Sequence, residues 1–317
     1  MPKLAYQGGE INYEVAGEGH PLIFVSGLNG VARYWQAQVS VFAKRYKVVT
    51  YDQRGTGQSD QTQREFSVDQ MAMELTGLMD VLNIERAHLV GMSTGGAIGQ
   101  TIAIEDPGRL MKLALCSTWT HCDAWFRRLF HARRDMYLQA GPDLHSQFHP
   151  LFLYSPDYVN EHDAEIEAER ARAPTKSSPV EVSVGRINAL LKFDRREGLH
   201  AIKAETLVMG SDSDFITLVE KLKQYDRKVF VVGGRAFTSQ VMQKNCTEFI
   251  AYENVIPDRG PRHQKPERGE RPRSAGSQTI EQAVPLVKRA LKVLYDREVT
   301  PQLGLLKSTL LQLDSSF

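Results

Sequence analysis

HLVGMSTGGAIGQ, residues 88–100, joins a run of strand formers to a run of small helix formers through Gly91-Met92-Ser93-Thr94-Gly95. A Gly-x-Ser-x-Gly spacing has mechanical content where a strand turns sharply into a helix. Gly91 and Gly95 remove the Cβ atoms that would clash where the two backbone segments cross. The Ser93 hydroxyl is then held at the edge of a sheet. The first N–H groups of the helix point to where negative charge develops on a reacting group.

Outward from this stretch, short apolar runs alternate with amphipathic ones. Residues 22–25, 47–51, 88–90 and 113–116 read as strands buried on both faces, as in a parallel sheet. Ser67 followed by Gln70 is a capping-box start for a helix whose Met71, Leu75, Leu78, Met79 and Leu82 share one face. Strand–helix alternation predicts an α/β fold, a doubly wound and mostly parallel sheet. Residues 1–119 form its first part. Residues 120–200 are rich in Arg and Glu and poor in strand candidates, and they predict a helical cap inserted over the sheet. Strand, loop, helix and strand return at 206–233, within a remainder that spans 201–256.

The loop Ser26-Gly27-Leu28-Asn29-Gly30 follows the first buried strand. It is placed to supply an oxyanion donor, the Leu28 N–H, paired with that of Met92. Tyr51-Asp52-Gln53-Arg54-Gly55-Thr56-Gly57-Gln58-Ser59 resembles the D-x-R-G-x-G-x-S turn of α/β-hydrolases. With PLIFVSGLNG, VVTYDQRGTG, HLVGMSTGGAIGQ and HPLFLYSPDYVNEHDAEIEAE, the first 210 residues resemble the aminoacrylate hydrolase family of pyrimidine degradation. They are more loosely similar to 3-oxoadipate enol-lactonases. The resemblance implies hydrolysis of a small polar enamine, amide or ester by Ser93, with no metal or organic cofactor.

Such a hydrolase needs nucleophile, acid and histidine in chain order. Asp214, in the loop after Thr206-Leu207-Val208-Met209-Gly210, fits the acid, with Asp212 as the alternative. Where the family places Gly-Gly-His, this chain reads Gly233-Gly234-Arg235. Arginine stays protonated and cannot act as general base. His263 lies downstream in a Pro/Arg-rich segment. His88 reads as a packed strand residue, and His121, His131, His145 and His149 as solvated or structural residues of the cap. Activity without a triad histidine is therefore expected to be low, or the chain to be an inactive scaffold.

A second resemblance begins near 207. Residues 207–255 resemble the C-terminal half of a NYN domain, a PIN-like nuclease fold. Residues 278–317 resemble the start of a LOTUS (OST-HTH) winged-helix module associated with RNA. Between them, residues 257–277 carry six Lys/Arg and few apolar side chains, and read as a disordered basic linker. A chimera joined near 205–211 is the simplest account. It leaves an alternative of weak RNA contact or NYN-type nuclease character through Arg259, Arg262, Lys265, Arg268, Arg271 and Arg273.

Composition limits the rest. The chain has 317 residues, 42% of them apolar, enough for a sizeable core. A net charge of +1 offers no global attraction to nucleic acid or anionic membranes. Cys116, Cys122 and Cys246 fit no metal or disulfide spacing. The N-terminal residues show no leader-like apolar stretch, and no run approaches the roughly 20 residues that cross a bilayer. The expectation is a cytoplasmic protein with a small-molecule substrate and no membrane contact.

Overall fold

The computed structural model describes residues 3–6, 9–154, 156–172 and 178–209, then Val219, Lys223, Gln224, 229–233, Gln243 and 246–251. Contacts divide the chain into two units, Met1–Pro257 and Asp258–Phe317, and the described residues all belong to the first. The expected linker, the LOTUS-like segment and His263 lie outside them.

Among the described residues, β1 (Lys3–Tyr6), β2 (Gly9–Ala16), β3 (His20–Val25), β4 (Tyr46–Tyr51), β5 (Ala87–Met92), β6 (Leu110–Cys116), β7 (Glu205–Met209), β8 (Val229–Gly233) and β9 (Glu248–Ala251) build one sheet. Its order is β1-β2-β4-β3-β5-β6-β7-β8-β9. From β4 to β9 every neighbouring pair is parallel. β1 and β2 add an antiparallel edge. That edge was not anticipated, because its short strands mix polar and apolar residues.

Side chains alternate across the sheet and build two cores. Leu22 and Phe24 of β3 and Val48 of β4 pack with Trp35 on one face, beside Val39 of α1 (Gln36–Phe42). Ile23, Val25 and Val49 join the other core. That core also takes Leu75, Leu78 and Met79 of α2 (Val68–Val81), and Ala97, Ile98 and Ile102 of α3 (Thr94–Glu105). Apolar runs without alternation are what burial on both faces requires. The start of α2 follows the capping pattern, with the Ser67 hydroxyl accepting from Gln70 N at 3.0 Å.

Between β6 and β7 the described residues form three α-helices, α4 (Ala124–Leu153), α5 (Pro156–Arg172) and α6 (Val180–Leu191). α4 is broken at Gly141, whose φ of 80° is open to glycine. Pro142 then restarts the helix, as proline does in a first turn. The break turns the chain back on itself. Arg133 and His145 are 12 residues apart, which on a straight helix is about 18 Å. Their side chains meet at 3.4 Å.

Candidate active site

Ser93 stands between β5 and α3 with φ 51° and ψ −114°, outside both strand and helix geometry. A non-glycine residue held at positive φ stores strain, and such strain persists only where the surroundings impose it. Here they do. Ser93 N donates to Cys116 O at 2.8 Å, and Ser93 O accepts from Gly96 N at 2.9 Å. Thr118 Oγ1 donates to the same carbonyl at 2.7 Å. The glycines are obligatory. A Cβ on Gly95 would lie 2.1 Å from Val25 O, and one on Gly91 2.3 Å from Gly95 O. The Ser93 side chain makes no capping bond to α3, and the residue is partly exposed.

Met92 is the last residue of β5 and opposes Cys116 in the ladder with β6. Successive amides of a strand point in opposite directions. Since Ser93 N points to β6, Met92 N points back toward β3, within the sheet. The amide after Ser93 belongs to Thr94, the first residue of α3, and the first amides of a helix have no partner within it. The Met92 amide, expected as the second donor, thus points into the sheet, while the Thr94 amide lies at the open end of α3. The Leu28 amide has no hydrogen-bond partner among the described residues. Its neighbour Gly27 adjoins the serine, since a Cβ there would be 3.3 Å from that of Ser93.

The loop carrying Leu28 is braced by the turn at 52–59. Gln53 Nε2 donates to Ser26 O at 2.7 Å, and Thr56 Oγ1 to Gly30 O at 3.1 Å. Asp52 accepts from Ala32 N and Gln58 N, each at 2.8 Å. Arg54, buried, donates to Tyr6 O and faces Glu74 at 3.3 Å. Burial raises the Glu74 carboxyl above its ordinary range against the pull of Arg54 and Arg186. Arg186 of α6 is fully buried. It donates to Arg54 O at 2.7 Å and to Gln53 Oε1 at 2.5 Å. Burial lowers its pKa to about 10, opposed by Glu74 and Tyr51.

A cavity of about 990 Å³ opens beside this loop, its lining including Leu28, Asn29, Arg133, Tyr137, His145 and His149. Ser93 is not one of its lining residues. Tyr137 reaches the loop by accepting from Asn29 Nδ2 at 3.2 Å. Its ring stacks on His145 with centroids 4.0 Å apart. Burial, then Arg133, holds the His145 pKa down to about 3, and burial and Arg133 hold His149 down to about 4.

Among the described residues no hydrogen bond joins a histidine to Ser93. His88 lies in β5, edge-on to His20 and Tyr46. His121 pairs with Thr120 at 3.3 Å. Asp212, Asp214 and Arg235 follow β7 and β8 in the sequence and lie outside the described residues. Among the described residues no group of three or more His, Cys, Asp or Glu could hold a metal, and no helix is long and apolar enough to cross a membrane. Sequence reasoning missed Arg133, Arg186, Tyr137 and the buried character of His145.

A strained serine at the carboxyl edge of a parallel sheet, with an amide-bearing loop beside it, defines an α/β hydrolase. The sequence pattern of the alpha/beta hydrolase fold family matches residues 20–252, and the chain belongs to that family. It is similar to the candidate carbamate hydrolase RutD of Azorhizobium caulinodans, 32% identical over 214 residues, covering 68% of this chain and 81% of the relative. The corresponding protein of Caulobacter segnis is 35% identical over 241 residues, covering 72% and 90%. A hydrolase structure from Pseudomonas aeruginosa aligns with TM-score 0.60 at 25% identity, over 66% of this chain and 79% of its own. The enol-lactonase of Burkholderia xenovorans shares the fold, with TM-score 0.61 at 21% identity, over 78% and 90%. The family match runs through residues 207–252, the stretch expected to be NYN-like, and β7, β8 and β9 continue the same parallel ladder.

Proposed function

We propose that the protein is a serine-type hydrolase of a small polar carbamate, enamine, amide or ester substrate. The observation that carries this reading is the backbone of Ser93, strained and pinned by four hydrogen bonds, with no partner for its hydroxyl among the described residues. In this reading Ser93 Oγ attacks the carbonyl carbon. The N–H groups of Leu28 and Thr94 stabilise the oxyanion, each such donor being worth about 10²–10³ in rate. Asp214 is the acid, with Asp212 as the alternative, and Arg235 stands in the histidine's place. The similar proteins named for carbamate hydrolysis support the substrate class.

An arginine there leaves the serine proton to depart through water, so Ser93 is a slow nucleophile. Two oriented N–H groups still act on an oxyanion formed by direct attack of water. Oxyanion hole and binding alone retain roughly 10³–10⁴-fold catalysis in enzymes stripped of their triad. A substrate that hydrolyses readily suits such a site.

The test is labelling by a fluorophosphonate. Wild type labels slowly and Ser93→Ala not at all; equal labelling of the two removes Ser93 from the mechanism. Arg235→His restores the base and raises the labelling rate at least 100-fold, against the several orders of magnitude that triad histidines supply. No increase would show that position 235 does not face Ser93.

A further inference from the structure

The cavity beside the Leu28 loop contains a charge that no described residue answers. Arg133 is 94% buried, being 6% exposed, and lines the cavity. Among the described residues its guanidinium makes one hydrogen bond, Nε to His145 Nε2 at 3.4 Å. Its central carbon lies over the rings of Phe130 and Phe152, at 5.0 and 5.2 Å from the ring centroids. No carboxylate lies within ion-pair distance of it among the described residues. The other buried arginines are answered: Arg54 faces Glu74, and Arg186 uses its donors on Arg54 O and Gln53 Oε1.

A buried, unpaired cation is destabilising by several kcal/mol and is kept where something binds it. The surroundings hold it ready. His145 accepts from Arg133 Nε, which requires a lone pair on Nε2 and hence a neutral ring. Burial and the neighbouring guanidinium keep that ring neutral. The two aromatic rings attract the guanidinium without satisfying its terminal N–H groups. Four residues along the same helix, Tyr137 bonds to Asn29, next to the oxyanion donor Leu28.

We propose that Arg133 is a specificity-determining residue, a fork that receives a carboxylate on the substrate while the reacting carbonyl sits by Leu28. The proposal rests on the hydrolase reading for the word substrate, but the subsite itself needs no chemistry. Guanidinium and carboxylate match in two parallel N–H···O bonds, whereas a neutral amide offers only one acceptor. The chemical class is therefore a small acid that carries its hydrolysable group a short distance from a free carboxylate.

The probes are propionate and its neutral counterpart propionamide, titrated into the full chain and followed by NMR. Wild type binds propionate at least tenfold more tightly, and only propionate shifts the ring signals of His145. Arg133→Met loses that preference, a fall of about 10- to 100-fold in propionate affinity, while Arg133→Lys keeps part of it. Ser93→Ala binds propionate as wild type does, so a failure of the serine mechanism leaves this result untouched. Equal binding of the two probes by wild type overturns the proposal, as does a propionate complex that leaves the His145 ring unshifted. Neither of those readings requires a substitution, so a poorly folded Arg133→Met does not protect the idea. Retained preference in a folded Arg133→Met also ends it.

Discussion

Gln53 is 1% exposed and joins two parts of the molecule. Its amide nitrogen holds Ser26 O at 2.7 Å, two residues before the Leu28 amide, and its amide oxygen accepts from Arg186 of α6 at 2.5 Å. Gln53→Leu keeps nearly the same volume and removes both bonds. An orphaned buried carbonyl costs about 1–3 kcal/mol, and a lost hydrogen bond to a charged group about 1.5–3. Arg186 keeps its bond to Arg54 O at 2.7 Å, so the lower part of the summed range applies, about 3–4 kcal/mol. For a fold of this size that lowers Tm by roughly 10 °C. The second consequence is local. Freed at Ser26, the loop no longer fixes the Leu28 donor, and fluorophosphonate labelling of Ser93 falls about tenfold, less than the 10²–10³ of deleting a donor outright. Gln53→Glu separates the two effects, because it keeps an acceptor for Arg186 but no donor for Ser26 O. Its labelling falls while its stability drops less than that of Gln53→Leu. Urea unfolding and labelling rates on the three proteins decide the matter. A Gln53→Leu protein within about 1 kcal/mol of wild type, or one that is destabilised yet labels at the wild-type rate, refutes the reasoning.

Gly95→Ala places a Cβ 2.1 Å from Val25 O and 2.9 Å from Ser26 O, backbone atoms at the centre of the sheet. Overpacking of this kind costs about 3 kcal/mol or more, and an unchanged urea midpoint would show that the elbow is less crowded than described. His145 makes stability depend on pH. Its pKa is about 3 in the folded protein and near 6.5 when exposed. The unfolded chain therefore binds the extra proton first, so the stability from a neutral His145 is complete above pH 6.5 and is lost as pH falls toward 3. The slope is roughly 1 kcal/mol per pH unit inside that window. His145→Phe keeps a ring against Tyr137 and cannot protonate. Its unfolding free energy, measured at pH 7, 6 and 5, declines less steeply than wild type by about that amount, and parallel slopes would count against a buried neutral imidazole.

Most of the sheet was legible because its signals are local. Leu22 to Val25 and Lys47 to Tyr51 are apolar without alternation, and Gly91 and Gly95 are needed within five residues of chain. The α2 start was legible in Ser67 and Gln70 for the same reason. The antiparallel edge β1-β2 was not, since strands of mixed polarity gain their stability from a neighbour that sequence pattern does not reveal. The cavity wall was the larger omission. Arg133, Glu74 and Arg186 look like solvated charges on amphipathic helices, and only tertiary partners distinguish a buried charge from an exposed one. One signal did exist. Gly141-Pro142 interrupts a helical stretch, and such a pair marks a turn; that turn brings His145 back to Arg133. At Met92 the signal is more local, because a residue that ends a strand has its amide inside the ladder.

The inserted helices grip one loop from two sides. From α6, Arg186 reaches it through Gln53 and Ser26. From α4, Tyr137 reaches it through Asn29. Leu28 lies between Ser26 and Asn29, so the proposed oxyanion donor is set by helices that arrive more than 100 residues later in the chain. Both links are buried or half-buried and hydrogen-bonded, and a loop held in this way keeps its amide oriented before any substrate arrives. Such preorganisation is the part of catalysis that needs no proton transfer. On the proposed reading, a chain with arginine where a histidine is expected keeps the electrostatic half of a hydrolase. The rate it can reach depends on how far the substrate supplies the other half by its own reactivity with water.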